Sequence, residues 1–358
     1  MTSPHSPAPA PVRRPLEAGH RLRAGVIGLG VGAHHAHAFL RHPAVDLVAM
    51  CDIRPEAHAT VSARLGILPS ATRSYTDYRD MLGNERLDLV GVATPDAHHA
   101  DPVIDASGAG VRGILCEKPI ASSVEDADRM MEATRRAGTV LLIDHTRNFD
   151  PAYVATRDQV EAGTIGTLTR IVAHLGGKRA MLFRNHTHLL GSIRFFAGAR
   201  PEWIFAAMDH GFEDYGLEYR GEGGRDPGLD PGGTFVIHFS NGVRALVMAS
   251  KGTPSTGVQL DLLGTRGRII VGDQETRAWT ASEDEGTLAP AAVTWKQGTG
   301  GDLGERLVPA VSHLVDLVTS GGRSLSPPEE ARDVLTLIYG ALQSQHSGMV
   351  PIRLALRE

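Results

Sequence analysis

Between Arg23 and about Asp144, short apolar runs alternate with amphipathic stretches. The runs cover 24–28, 45–51, 88–93, 112–116 and 139–143, and helices are predicted over 33–41, 55–65, 76–83, 98–109 and 124–137. Buried strands separated by such helices are the pattern of a parallel, doubly wound α/β sheet. Ser123 is placed to N-cap the last of these helices and Gly138 to end it. After residue 150 the rhythm changes: a helix from Pro151 to Ala162 precedes Gly163-Thr164-Ile165-Gly166, a strand at 167–175 and a helix around 187–197. Two hairpins follow, 234–239 with 243–249 about Asn241-Gly242 and 258–263 with 267–271 about Gly264-Thr265. A closing helix near 327–345 starts after Pro327-Pro328 and carries Val334, Leu335, Leu337, Ile338 and Leu342 on one face. The organisation expected is a disordered tail over 1–21, an α/β domain over 22–146, and an α+β domain with a largely antiparallel open sheet over 147–358.

With 358 residues, the chain is long enough for two separate cores. Its formal net charge of −5 and the lack of a basic stripe with interleaved aromatics argue against nucleic acid as a partner. No apolar run approaches the length of a membrane span, and the first 21 residues lack the apolar core of a secretion signal. Cys51 and Cys116 are the only cysteines, each ending an apolar run, which suits reduced packing residues in a cytoplasmic protein. The loop 209–233, rich in Asp, Glu, Gly and Pro, is longer than a spacer needs to be and is expected to serve function or subunit contact.

The first run ends in Gly28-Leu29-Gly30-Val31-Gly32-Ala33, a glycine turn between a strand and a helix start. Glycine permits the sharp turn and the close backbone approach that a pyrophosphate needs, and the helix N-terminus faces its charge. The spacing is G-x-G-x-G, and it fits the dinucleotide pattern G-x-G-x-x-G/A only with Ala33 as the third small residue. Asp52 closes the second run 20 positions after Gly32, where a ribose-binding carboxylate is needed. That carboxylate favours NAD and repels the 2′-phosphate of NADP, whereas Arg54, two residues on, offers a partner for such a phosphate. NAD is the expected cofactor, with NADP left open.

Thr94-Pro95 follows the third run, and Glu117-Lys118-Pro119 the fourth, at the sheet edge where ligands of open α/β sheets bind. At these segments the chain closely resembles the family of glucose-fructose oxidoreductase, inositol dehydrogenase and MocA. The resemblance continues through Arg147-Asn148-Phe149-Asp150-Pro151, Gly163-Thr164-Ile165-Gly166, the Asn241-Gly242 hairpin, Gly264-Thr265-Arg266-Gly267 and the C-terminal helix, from about 23 to 355. It implies a Rossmann domain that holds NAD or NADP, with Gly28, Gly30, Val31, Gly32, Asp52, Arg54, Thr94, Pro95, His99, Glu117 and Lys118 about the cofactor. It further implies a second-domain sheet that covers the nicotinamide and forms a homodimer or homotetramer.

Members of that family that oxidise a sugar or cyclitol hydroxyl use the lysine of Glu-Lys-Pro and a histidine, often within D-x-x-x-H-x-x-D. By this resemblance Lys118 and His188 are the catalytic pair, but Arg184 and Gly191 stand at the two carboxylate positions. Imidazole suits a base for the hydroxyl proton, and a positioned ammonium suits a developing alkoxide. Asp144, Asp150, Glu213 and Asp214 are the carboxylates that another segment has to offer in support of His188. Arg147, Arg184 and Asn185, with Lys118 and His188, are the candidate substrate contacts, and Arg184 invites an anionic substrate. The clusters His34-His35-His37, His98-His99 and His186-x-His188 carry no carboxylate or Cys at ligand spacing, so no metal is expected. The function implied is NAD(P)-dependent interconversion of a secondary hydroxyl and a ketone on a polyhydroxylated small molecule: a sugar, sugar acid or cyclitol. The alternatives are an NAD-assisted glycoside-cleaving enzyme and a nucleotide-binding regulator without chemistry.

Overall fold

Strand β1 (Leu22–Ile27) leads through the glycine turn into helix α1 (Gly32–Arg41), and the alternation then runs on to β6. The computed structural model describes residues 19, 21–68, 70–177, 182–183, 185–214, 231–254, 257–273, 275–281, 287–291 and 302–355. The tail expected over 1–21 lies almost wholly outside these residues, as do 215–230 of the long loop and Arg184.

β2 (Val45–Cys51), α2 (Pro55–Leu65), β3 (Arg73–Tyr75), α3 (Tyr78–Asn84), β4 (Leu89–Val92), α4 (Ala100–Gly108), β5 (Gly113–Cys116), α5 (Val124–Ala137) and β6 (Val140–Ile143) complete the first unit. Its six strands lie in the order β3-β2-β1-β4-β5-β6 and all pair in parallel, the doubly wound arrangement expected. The caps of α5 are those foreseen. Ser123 accepts from Asp126 N at 3.1 Å, and Gly138 ends the helix in the left-handed conformation at φ 62°. The three-residue strand β3 is too short to show a period and escapes a sequence reading.

Helix α6 (Pro151–Glu161) then leads to β7 (Leu168–Gly176), α7 (Asn185–Ala197), β8 (Pro201–Met208), β9 (Gly233–Phe239), β10 (Arg244–Ser250), β11 (Gly257–Gly264) and β12 (Gly267–Gly272). With β13 (Thr276–Ala281), β14 (Leu288–Pro290) and β15 (Ile352–Arg353), these strands form a nine-stranded sheet ordered β14-β13-β12-β11-β7-β10-β9-β8-β15. All of its pairs are antiparallel except β7 with β10. Helices α7 and α9 (Pro328–His346) pack on its buried face. Among the described residues, no helix is long and apolar enough to cross a membrane.

Helix α8 (Leu303–Ser320) is the largest element not foreseen. Pro309 inside it reads as a break, yet its stripe of Leu307, Ala310, Val311 and Leu314 is fully buried. That stripe shares one apolar cluster with Ala33, Ala36 and Phe39 of α1, so α8 covers the first sheet although it follows the second in sequence.

Candidate active site

The three glycines of the turn do three different things. Gly28 takes φ +86°, and a Cβ there would sit 2.5 Å from Ala93 O, so only glycine fits between β1 and β4. A Cβ on Gly30 meets nothing within 4 Å, which leaves this part of the turn open to a ligand. At Gly32 a Cβ would lie 3.0 Å from Ala93 Cβ and from Val26 Cγ1. Gly32 therefore provides the close packing of helix on strand, one residue earlier than the G-x-G-x-x-G/A spacing puts it, and it faces the sheet instead of the cleft. This cradle fits a dinucleotide's pyrophosphate: a tight turn, an open approach, and a helix N-terminus behind it.

A cleft of about 1100 Å³ runs from this turn along the strand ends, lined by Gly28, Gly30, Val31, Asp52, Arg54, Thr94, Pro95, Glu117 and Lys118. Asp52 is buried at the tip of β2. Its Oδ2 accepts from Leu29 N at 2.8 Å, and its Oδ1 accepts from Arg54 N at 2.9 Å and Arg54 Nε at 3.2 Å. Burial works to raise this carboxyl, but the bonds from Leu29 and Arg54 outweigh it and hold Asp52 below the usual range. Thr76, Asp77, Tyr78 and Arg79, at the start of α3, also line the cleft. They were missed because β3, which delivers them, carries no period.

His99 packs beside the cofactor loops and does not enter the cleft. It is fully buried, with Nδ1 2.9 Å from Pro119 O and Nε2 2.9 Å from Thr94 O, so both ring nitrogens are spent on joining two loops. His98 reaches the cleft in its place.

Glu117 ends β5 with Oε2 accepting from Lys118 N at 3.2 Å and Oε1 3.2 Å from His35 Nε2. Burial opposes its charge, while His35, Lys118 and His99 outweigh that opposition and keep the carboxyl below its ordinary value. Asp144, at the end of β6, completes a buried trio. One nitrogen or oxygen from each of His35, Glu117 and Asp144 lies within 4.8 Å of the others. The sequence showed no carboxylate near His35 because both carboxylates come from other strands. Burial and the neighbouring Glu117 push Asp144 up to about 7, against His35, the bond from Thr146 Oγ1 at 3.0 Å and the charge of Lys118.

A second cavity of about 560 Å³ adjoins the cleft, and Asn185 and His188 line both. Its wall includes Arg147, whose Nε and Nη2 donate to Asp273 at 2.7 and 2.6 Å across 126 residues of sequence. Of the carboxylates considered for His188, Asp144 lies on the Lys118 side, Asp150 caps α6 through Ala152 N, and Glu213 is exposed beside His210. The side chain of Asp214 and the whole of Arg184 lie outside the described residues. Burial, followed by the charges of Lys118, Arg147, His145 and Arg306, lowers His188 well below an ordinary histidine. Gly191, one turn further along α7, accepts the usual cost of a helical glycine, about 1 kcal/mol against alanine.

Residues 22–145 match the family described as "Oxidoreductase family, NAD-binding Rossmann fold", of glucose-fructose oxidoreductase, inositol dehydrogenase and MocA. The Rossmann domain belongs to this family. Its members include relatives of most of the chain's length. The myo-inositol 2-dehydrogenase of Thermotoga maritima is 25% identical over 278 residues, 74% of this chain and 79% of the relative. The scyllo-inositol 2-dehydrogenase (NAD(+)) of Bacillus subtilis is 27% identical over 272 residues, 71% of this chain and 74% of the relative. A levoglucosan dehydrogenase solved with NADH and L-sorbose superposes with a TM-score of 0.78 at 20% identity, covering 94% of this chain and 99% of its own. This last likeness shows the shared fold, a parallel Rossmann sheet followed by a mixed, mostly antiparallel one. The chain is thus an NAD-binding oxidoreductase of the dehydrogenase kind.

Proposed function

We propose that this dehydrogenase oxidises a secondary hydroxyl of a polyhydroxylated ring, a cyclitol or sugar, to a ketone. The observation that carries the reading is the junction of the two cavities. The glycine turn, Asp52 and Lys118 lie along the 1100 Å³ cleft, His188 and Asn185 line both it and the 560 Å³ pocket, and Arg147 lines that pocket. The names of the two inositol dehydrogenases support a cyclitol-like substrate.

NAD, when bound, accepts a hydride at its nicotinamide ring. Asp52 is placed to accept from the ribose hydroxyls, and its engagement by Leu29 and Arg54 holds it ready. Lys118 sets an ammonium beside the hydroxyl oxygen that gains negative charge as its proton is taken. His188 Nδ1 is buried without a hydrogen-bond partner, which leaves Nε2 to take the hydroxyl proton. The Asn185 amide and the Asp273-braced Arg147 orient neighbouring hydroxyls.

We also assign a homodimer to the uncovered face of the second sheet. Phe205, Val236, Leu246 and Val172 stand in register across β8, β9, β10 and β7, and Leu246 is 38% exposed in this apolar row. Sedimentation that finds only monomer overturns that assignment.

The catalytic reading is tested by following NADH absorbance with myo-inositol, scyllo-inositol and a panel of pyranoses. Turnover is expected, and K118A and H188Q should each lower kcat by about 10²-fold or more while NADH still binds. NAD binding without turnover of any polyol overturns it.

A further inference from the structure

The glycine that follows His188 by one turn of α7 is explained by a ring from another segment. A Cβ at residue 191 would lie 2.9 Å from His145 Cδ2, 3.0 Å from Cγ and 3.2 Å from Nε2. His145 cannot easily step aside. Its N–H donates to Ile143 O at 2.7 Å, its carbonyl accepts from Asn148 N at 2.8 Å, and it is buried at the end of β6. The Nδ1 atoms of His145 and His188 are both buried and both without a hydrogen-bond partner. The charged and titratable groups about His188 are Lys118 from the end of β5, Arg147 and His145 from the segment after β6, and Arg306 from α8. Those about His145 are Lys118, Glu117 and His188.

We propose that His145 is a positioning residue for His188, its ring filling the place beside α7 that a side chain at position 191 would hold. His145 and Gly191 then form one coupled unit, in which a ring on one segment is exchanged for a side chain on the other. Among the described residues, the groups that act on His188 are cations and a histidine, so they give an imidazolium there no stabilising partner and favour the neutral ring. Burial and then Lys118 push His145 down to about 4, in keeping with an uncharged neighbour. The significance for turnover rests on the role proposed above for His188, but the test does not require turnover.

The test uses the full-length protein with NAD, ring-labelled at histidine, and follows each ring by NMR across pH, with His188 assigned by its loss in H188Q. The wild-type ring is expected to titrate below the range of an ordinary histidine. G191A should lower the Tm and shift the His145 and His188 signals, and H145A/G191A should recover most of that loss. H145A/G191D, which puts a carboxylate one turn from His188, should raise its midpoint by about one pH unit or more, and H145A alone should not. Additive Tm changes for H145A and G191A, or an unmoved midpoint in a folded H145A/G191D, would overturn the proposal. Should G191D fail to fold, the Tm cycle between H145A and G191A decides it. Loss of polyol oxidation with these couplings intact would count against the function alone.

Discussion

His35 Nε2 lies 3.2 Å from Glu117 Oε1 with both side chains buried, so the helix that begins on the glycine turn is tied to the residue preceding Lys118. The pair joins the phosphate end of the cleft to its reactive end. Removing the imidazole leaves a buried carboxylate without its main partner.

H35A is accordingly expected to cost about 1–3 kcal/mol in urea unfolding at neutral pH. Glu117 titrates below its unfolded value, so its contribution is present at neutral pH and is lost as pH falls through the folded value. The variant should lose less stability on acidification than wild type does, and equal acid sensitivity would count against the pair.

Asp144 has the opposite sign. Its carboxyl titrates at about 7 when folded, above its unfolded value, so the folded state binds more protons and stability falls as pH rises towards 7. D144N keeps the hydrogen bond with Thr146 available and removes the buried charge. Its Tm should exceed the wild-type Tm at pH 8 and approach it at pH 4, as differential scanning fluorimetry can determine.

Arg54 donates through Nε to Asp52 at 3.2 Å, and this pairing is expected to set the choice between cofactors. D52A removes the ribose contacts and frees the guanidinium for a 2′-phosphate. The KM for NAD should rise about 10- to 100-fold while that for NADP falls. A parallel rise for both cofactors would remove Asp52 from the ribose site.

The Arg147–Asp273 fork closes the pocket wall. R147A takes both guanidinium bonds from Asp273, whose Oδ2 still accepts from Val258 N at 3.1 Å, and should cost about 3 kcal/mol of stability. R147K keeps the charge but loses the two-pronged geometry, so a raised polyol KM at nearly unchanged NAD affinity is expected from steady-state kinetics.

Apart from β3, the strands and helices between Leu22 and Ile143 are legible because their periods are local and their caps, such as Ser123 and Gly138, sit at their own ends. The glycine turn, Asp52 and Lys118 were legible for the same reason, each lying at the end of a recognisable strand. Helix α8 was hidden by Pro309, and its place over α1 follows only from the match between two apolar stripes far apart in sequence. A step of one residue decides whether a ring enters the cleft, as His98 does, or joins two loops, as His99 does.

From its sequence alone, this chain is committed to an NAD-binding α/β domain, to a lysine at the mouth of its cleft, and to a histidine on a helix beyond it. Which charges surround those two groups is settled by folding. Asp144 comes to lie on the lysine side, and Gly191 makes room for His145 beside the helix of His188. Local periodicity is set by neighbours a few residues apart. The electrostatic environment of Lys118 and His188 depends on side chains from β5, β6, α7 and α8, which meet only when both sheets are packed.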